Sequence, residues 1–230
     1  MISNEQYDYL RNHPAFEHLS QEAFNQLAQH VRFRKISKGQ IFFYAEDPRE
    51  SLVVLYRGYA RIEHYDETDT FVYFDYVRQG GAFPFGDMFQ NKPYRYTAVA
   101  KTDLECLIVP MDLFEQVSQK NPQQLVYISQ KLSNILSFQE LRLRNTMRPK
   151  ATDRVIQALS LLYRDMCQPE QLQTLPFDIQ LQELARLAAT TRETVGHVIK
   201  KLKDEGRVTY EHKRLTYLDL SYFLENIGSD

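Results

Sequence analysis

The spacing of apolar residues changes twice along this chain, and those two changes constrain the fold more than any other feature. Near the start, Ser20 is a suitable N-cap, and Phe24, Leu27, Ala28 and Val31 follow at i, i+3, i+4 and i+7, which predicts a short helix over 20–31. From about 31 to 110 the period shortens to two. Runs rich in Val, Tyr, Phe and Ile at 41–45, 52–57, 59–65, 71–78 and 98–109 are separated by glycine or acidic turns. In 59–65, Ala60, Ile62 and His64 share one face, and Tyr59, Arg61, Glu63 and Tyr65 the other. Asp66-Glu67-Thr68-Asp69 then predicts the tip of a hairpin spanning 59–78. Gly39, Gly58, Gly80 and Gly81 fall between the runs, where a positive φ is often needed. Many short strands at this spacing predict an antiparallel sandwich or jelly roll.

After Pro110 the helical period returns. Asp112-x-x-Glu115 has the spacing of a capping box. Asn121-Pro122 then opens a stretch with no Pro or Gly before Pro149, and within it Leu125, Ile128, Leu132 and Ile135 repeat at three, four and three, extended by Leu136, Leu143 and Met147. A helix of that length overhangs a small sandwich, so its apolar seam predicts a dimerisation helix, the alternative being a core helix packed on the β domain. Arg148-Pro149-Lys150 marks a boundary. Residues 151–166 form another amphipathic helix (Val155, Ile156, Leu159, Leu162), followed by a loop with Pro169 and Pro176. The organisation is α+β: a sensor-like antiparallel β roll over 1–118, a central dimerisation helix over 119–147 and a C-terminal domain over 148–230.

Composition excludes several function classes. Lys+Arg 28 against Asp+Glu 30 gives −2, so a nucleic-acid partner would have to be met by a local patch rather than by net charge. The two cysteines, Cys106 and Cys167, suit a reduced cytoplasmic protein and are too few for an iron–sulfur cluster. No run of 18 apolar residues spans a membrane, and the polar first 20 residues do not read as a secretory signal. The chain has no GxGxxG, Walker A, HExxH or GxSxG motif, and its six histidines do not cluster with the cysteines, which argues against an enzyme and against a metal site.

The segment that speaks most clearly is 178–230. Leu181, Leu184, Ala185 and Leu187 predict a short helix, and Ala188, Ala189 and Thr190 a tight connection. Thr191 can cap a second helix carrying Val195, Val198, Ile199 and Leu202, which Gly206 ends. Two short helices so joined make a helix-turn-helix. The exposed face of the second begins with Arg192, Glu193 and Thr194 and continues through His197, Lys200 and Lys201. Over 186–203, five basic residues (Arg186, Arg192, Lys200, Lys201, Lys203) against one acidic (Glu193) give a local +4 in a −2 chain. Arg pairs bidentately with guanine, and Glu accepts from cytosine N4. Strand-like runs at Arg207–Tyr210 and Leu215–Leu218, joined by Glu211-His212-Lys213-Arg214, add a wing with a basic tip. A helical pair with a solvated charged face is the competing reading.

Thr191-Arg192-Glu193-Thr194-Val195-Gly196-His197 resembles the Arg-Glu-Thr-Val-Gly-Arg recognition helix of the Crp/Fnr transcription regulators. The resemblance extends over nearly the whole chain, from N-terminal helix through β roll and long helix to winged helix-turn-helix. It implies that Arg192, Glu193 and position 197 read bases in a palindromic operator with TGTGA-like half-sites, with Lys200, Lys201, Lys213 and Arg214 as further DNA contacts. It implies double-stranded DNA, a second copy of the chain and RNA polymerase as partners, and no membrane. His197 departs from the family Arg, and Ala189 stands where many members have the turn Gly. Phe-Pro in the roll together with Arg-Glu-Thr-x-Gly-His in the helix is similar to the arginine-deiminase-operon regulators of Gram-positive bacteria, which implies control of those or related metabolic genes. Two alternatives stand beside this: a regulator of another regulon governed by a non-nucleotide ligand or protein partner, and a sensor module without DNA binding, which leaves Arg192, Glu193 and the basic wing unexplained.

In cyclic-nucleotide-binding members of that family a Gly-Glu and an Arg-Ser pair hold the ribose and phosphate. An ungapped register from Gln79-Gly80-Gly81 puts Pro84-Phe85 and Arg95-Tyr96 there, and Gln139-Glu140 at the adenine-contacting positions of the central helix. Recovering Gly86-Asp87 as the Gly-acid pair needs a shift of two residues. Phe85, Arg95, Tyr96 and Gln139 are therefore the candidate effector pocket, the effector itself unknown, and cAMP is not expected; Arg95 equally suits a structural salt bridge. Haem is not expected either, because His64, the roll's only candidate ligand, fits a satisfied histidine better. Phe42, Phe43, Tyr44, Tyr73, Phe74, Tyr76, Phe83, Phe85 and Phe89 make the roll unusually aromatic and are expected mostly in its core, with lining an apolar ligand pocket as the other use.

Overall fold

The structure, a computed structural model, describes residues 2–65, 72–90 and 92–227. It divides into two compact units, Met1–Leu136 and Ser137–Asp230. In the first, α1 (Asn4–Arg11) and α2 (Gln21–Ala28) precede eight strands: β1 (Arg32–Ile36), β2 (Ile41–Phe43), β3 (Ser51–Arg57), β4 (Ala60–Tyr65), β5 (Val72–Val77), β6 (Ala82–Phe83), β7 (Thr97–Ala100) and β8 (Leu104–Pro110). α3 (Met111–Gln119) and α4 (Pro122–Thr146) follow. The strands form two antiparallel four-stranded sheets, ordered β1-β8-β3-β6 and β2-β7-β4-β5. The expected hairpin is β4–β5; its tip at Asp66-Glu67-Thr68-Asp69 lies outside the described residues, as does the side chain of Tyr73.

Alternation along β3 and β8 divides the apolar residues between two cores. Val53, Leu55 and Cys106 point between the sheets, where they meet Phe43, Ala60, Phe83, Tyr94, Ala98 and Ala100. Leu52, Val54, Leu107 and Val109 point the other way, onto Phe16 and Phe24, Met111 and Phe114 of α3, and Ile128 of α4.

The run 98–109, expected as one strand, is two. Between β7 and β8 the chain turns at Lys101-Thr102-Asp103, where the Lys101 amide donates to the Tyr59 carbonyl (2.8 Å). Gly58 permits that turn: its φ is +87°, and a Cβ there would lie 2.6 Å from the Asp103 carbonyl oxygen. The expected capping box at Asp112-x-x-Glu115 does not form. α3 starts after Pro110 with no side-chain cap, and Glu115 instead accepts from buried Arg49 (2.8 Å) and from the Phe89 amide (2.9 Å). A buried guanidinium is a stronger claimant on a carboxylate than a solvent-accessible amide.

Helix α4 runs 25 residues, about 37 Å. Ile128 is not part of an exposed seam on it: at 3% exposure it sits inside the core of the first unit. Leu125, Leu132 and Ile135 are exposed, and so are Leu136, Leu143 and Met147. Leu125, Leu132, Leu136, Leu143 and Met147 step by seven, four, seven and four, which keeps them on one stripe of an α-helix, with Ile135 at its flank.

The second unit continues with α5 (Ala151–Met166), α6 (Leu181–Leu187), α7 (Arg192–Asp204), strands β9 (Val208–Glu211) and β10 (Arg214–Tyr217), and α8 (Leu220–Glu225). Its core closes on Tyr217, which is fully buried, lies edge-on to Phe223 and donates its hydroxyl to the Leu159 carbonyl (3.0 Å).

Candidate nucleic-acid interface

α6 starts with a reciprocal cap in which the Gln180 amide donates to Glu183 Oε2 (2.8 Å). It ends at Ala188, and the chain reverses through Ala189 at φ +47°, with the Thr190 amide donating to the Ala185 carbonyl (2.9 Å). The Thr191 hydroxyl then caps α7 by accepting from the Thr194 amide (3.2 Å). Val195, Val198, Ile199 and Leu202 are buried along one side of α7. Arg192, Glu193, His197, Lys200 and Lys201 are exposed on the other, and Thr194 is half-buried beside the cap. Glu193, His197 and Lys200 stand in line at i, i+4 and i+7. Gly206 (φ +71°) closes the helix, its amide donating to the Lys203 carbonyl (2.9 Å) and that of Arg207 to the Leu202 carbonyl (2.8 Å).

Electrostatics fix the first turn of α7. Amide hydrogen bonding at the helix start and the Thr191 hydroxyl hold the Glu193 carboxyl below the usual range, helped by Arg192 and His197, so Glu193 is an ionised acceptor at neutral pH. Lys201 leans toward Glu205 (3.8 Å). Among the described residues no carboxylate pairs with Arg192, Lys200, Lys213 or Arg214. β9 and β10 make the wing, and the turn between them holds His212 and Lys213 both left-handed, at φ +50° and +67°. The Lys213 carbonyl accepts from the Ile179 amide (2.8 Å), and the Tyr210 hydroxyl donates to the Ile179 carbonyl (2.8 Å), which ties the wing to the segment leading into α6. The lysine and arginine of the wing tip remain exposed.

Residues 33–121 match the cyclic nucleotide-binding domain family, and residues 153–225 the Crp-like helix-turn-helix domain family. Together these stretches cover well over half of the chain. The chain belongs to the Crp/Fnr family of transcription regulators. Both matches are to parts of regulators, not enzymes. The chain is similar to the HTH-type transcriptional regulator ArcR of Staphylococcus epidermidis, 26% identical over 205 residues that span 80% of this chain and 87% of that protein. It is 26% identical to ArcR of Staphylococcus aureus over 78% of this chain and 77% of the relative. The fold is shared with FixK2 of Bradyrhizobium japonicum, with a TM-score of 0.74 and 14% identity across 87% of this chain and 98% of that one. It is also shared with the c-di-GMP responsive global regulator CLP of Xanthomonas campestris, with a TM-score of 0.67 and 20% identity across 86% and 99%.

In this Crp/Fnr chain the candidate effector residues of the roll fall in different surroundings. Phe85 is 3% exposed and belongs to the core on the helical face of the β3/β8 sheet, edge-on to Tyr127. Tyr96 packs on the core between the sheets, beside Phe43 and His64. The two aromatics thus pack in different cores. Arg95 reaches neither; its guanidinium engages the buried carboxylate of Asp87 through two nitrogens. Gln139 lies on α4 in the second unit. His64 donates to the Arg95 backbone carbonyl, and burial lowers its pKa, in keeping with a satisfied histidine. Of the roll's aromatics, Phe43, Phe74, Tyr76, Phe83 and Phe85 are buried, whereas Tyr44 and Phe89 are exposed. Among the described residues no cluster of His, Cys, Asp or Glu could hold a metal ion, and no helix is long and apolar enough to cross a membrane. Cys106 and Cys167 are buried free thiols that burial pushes up to about 12.

Sequence reasoning missed Asp87 as the partner of Arg95, although Gly86-Asp87 was in view. The signal was the acid after a glycine, eight residues from the arginine. It also missed Arg154, whose guanidinium reaches the helix-turn-helix turn; nothing in a lone arginine on an amphipathic helix announces that.

Proposed function

We propose that this regulator binds a palindromic operator as a homodimer, reading TGTGA-like half-sites with Arg192, Glu193 and His197. Thr191 and Thr194 fix the helix start, and Lys200, Lys201, Lys213 and Arg214 contact phosphates. The observation that carries the reading is the first turn of α7, where a capped helix presents an exposed Arg192 beside an ionised, pinned Glu193. A guanidinium and a carboxylate there match the donor and acceptor pattern of a G·C pair in the major groove.

The functional division is a sensor roll over 1–118, a dimerisation helix over 119–147 and a DNA-binding domain over 148–230, with the exposed stripe of α4 buried against a second copy. RNA polymerase is the further partner, and the protein works in the cytoplasm. Its resemblance to ArcR proteins supports control of arginine deiminase or related metabolic genes. Cyclic nucleotide does not fit the roll: Arg95 is already occupied by Asp87, Pro84 has no N–H to offer a phosphate, and Phe85 sits in another core. The effector is a different ligand or a protein partner.

Gel shift on the chain's own promoter region tests the reading. Arg192→Ala should cost roughly 1–3 kcal/mol and relax base preference, while Lys200→Ala should weaken binding evenly across sequences. Native-like operator binding by Arg192→Ala refutes the assignment of α7.

A further inference from the structure

Arg154 lies in the first turn of α5, and its guanidinium sits between two chain reversals. Nη1 donates to the carbonyls of Arg148 (2.7 Å) and Pro149 (3.4 Å), just past the end of α4. Nε donates to the Ala188 carbonyl (3.2 Å) and Nη2 to that of Ala189 (3.2 Å), in the turn of the helix-turn-helix. The backbone carbonyl of Arg154 itself accepts from Asn145 Nδ2 (3.1 Å), in the last turn of α4. The final carbonyls of a helix lack intrahelical partners and form the negative end of its dipole. One planar cation therefore ties the link that follows α4 to the C-terminal end of α6. A lysine, with its compact ammonium, could not span both sets. Among the described residues no carboxylate pairs with Arg154.

We propose that Arg154 is the positioning residue that fixes recognition helix α7 relative to the end of α4, and so sets the half-site spacing the dimer accepts. This rests on reading α7 as the recognition helix and α4 as the dimer helix. In a two-fold dimer the separation of the recognition helices must match the spacing of the half-sites, about one turn of DNA. Whatever holds each helix-turn-helix to the end of its dimer helix determines that separation. The link Met147–Lys150 is four residues long, and Arg154 bridges it to the helix-turn-helix turn.

The test measures affinity for operators whose half-sites are moved together or apart by one or two base pairs. Wild type, Arg154→Met, Arg154→Gln and Arg192→Ala are compared at fixed salt, with thermal melts alongside. Wild type should favour one spacing by roughly tenfold or more, about 1.4 kcal/mol. Arg154→Met should flatten that preference to less than about threefold, with non-specific binding and its salt dependence unchanged because the lysines that meet phosphate are untouched. A folded Arg154→Met with the wild-type spacing preference overturns the proposal. Should Arg154→Met fail to fold, Arg154→Gln is judged on the same ratio, flattening supporting the proposal and an unchanged ratio overturning it. Arg192→Ala separates the two readings. If it binds as wild type does, the recognition-helix assignment fails and takes the proposal with it. If it loses base preference while the Arg154 variants keep theirs for spacing, only the role of Arg154 falls.

Discussion

Replacing Ile135 by Glu tests the proposed dimer where its energetics are simplest. In a single protomer Ile135 is 37% exposed, at the edge of the Leu125, Leu132, Leu136, Leu143 and Met147 stripe. Fully burying such a side chain contributes about 1.5–3 kcal/mol, so closing over the remaining third contributes about 0.5–1 kcal/mol per protomer and about 1–2 per dimer. The substitution removes that and brings one carboxylate from each copy to the proposed two-fold seam. At about 6 Å and an effective dielectric of about 20 they repel by about 3 kcal/mol. The sum, about 4–5 kcal/mol, raises the dissociation constant by roughly three powers of ten. Sedimentation equilibrium from nanomolar to micromolar concentration reads this directly, and added salt should recover part of the loss by screening. Ile128→Ala is the control. Ile128 is already enclosed by its own protomer, so its truncation should lower the melting temperature, by about 2–5 kcal/mol of stability, and leave dimer affinity unchanged. A wild type that is monomeric at micromolar concentration, or an Ile135→Glu variant as dimeric as wild type, refutes the reasoning.

Calorimetry with cAMP should show no low-micromolar binding. Two polar groups left unsatisfied at about 1–3 kcal/mol each are enough to carry a micromolar affinity into the millimolar range, and tight binding with rising operator affinity would show that the roll was misread. Ala189→Gly should stabilise the second unit by about 0.5–1 kcal/mol in thermal melts, because the φ of +47° is costly for an L-residue and only part of the gain is returned as backbone entropy; a destabilised variant would contradict this. His13 accepts from the Ala15 amide and donates to the Gly80 carbonyl, and burial lowers its pKa from the ordinary 6.5. The unfolded chain therefore binds the proton more readily, so stability falls as pH drops below about 6.5 until it reaches the lowered folded value. The gap in urea midpoint between wild type and His13→Gln should be constant above about pH 6.5 and change as pH falls below it; a gap that stays constant through the acid range would exclude the linkage.

Several helices were legible in the sequence because they advertise their own ends, whereas α1 and α8 were not read and the cap expected for α3 does not form. α2, α5 and α7 begin or stop where Ser20, Pro149, Thr191 and Gly206 say they must, and their buried stripes follow the 3.6-residue period. β1 was not legible. Its exposed residues Arg32, Arg34 and Lys35 give no apolar alternation, and pairing with β8 decides its conformation. The break between β7 and β8 depends on Gly58, forty residues earlier, which no local window contains. The geometry of α7 was legible because its N-cap, its buried stripe and its exposed polar residues fall at fixed helical offsets. The surroundings of the roll's candidate pocket residues were not. An aromatic list does not say which face of a sheet each ring takes, and whether Arg95 is free depends on Asp87, which only the fold brings to it. Ile128 shows the same limit from the other side: a heptad position does not reveal whether its partner is another chain or its own core.

The wing tip places this protein's two interests in opposition. His212 and Lys213 both sit in left-handed backbone, where Asn-Gly is the residue pair that relieves a two-residue hairpin. A consensus or stability-guided redesign would make that exchange early, and its melting temperature would reward the choice. It would also erase the lysine from the tip and leave Arg214 as the wing's nearest cation. If Lys213 contacts phosphate as proposed, a version of this regulator chosen by heat resistance alone would drift toward a sturdier protein with a weaker hold on DNA. Directed selection on operator occupancy should instead retain the strained pair, making the persistence of His212-Lys213 under mutagenesis a record of what the wing is for.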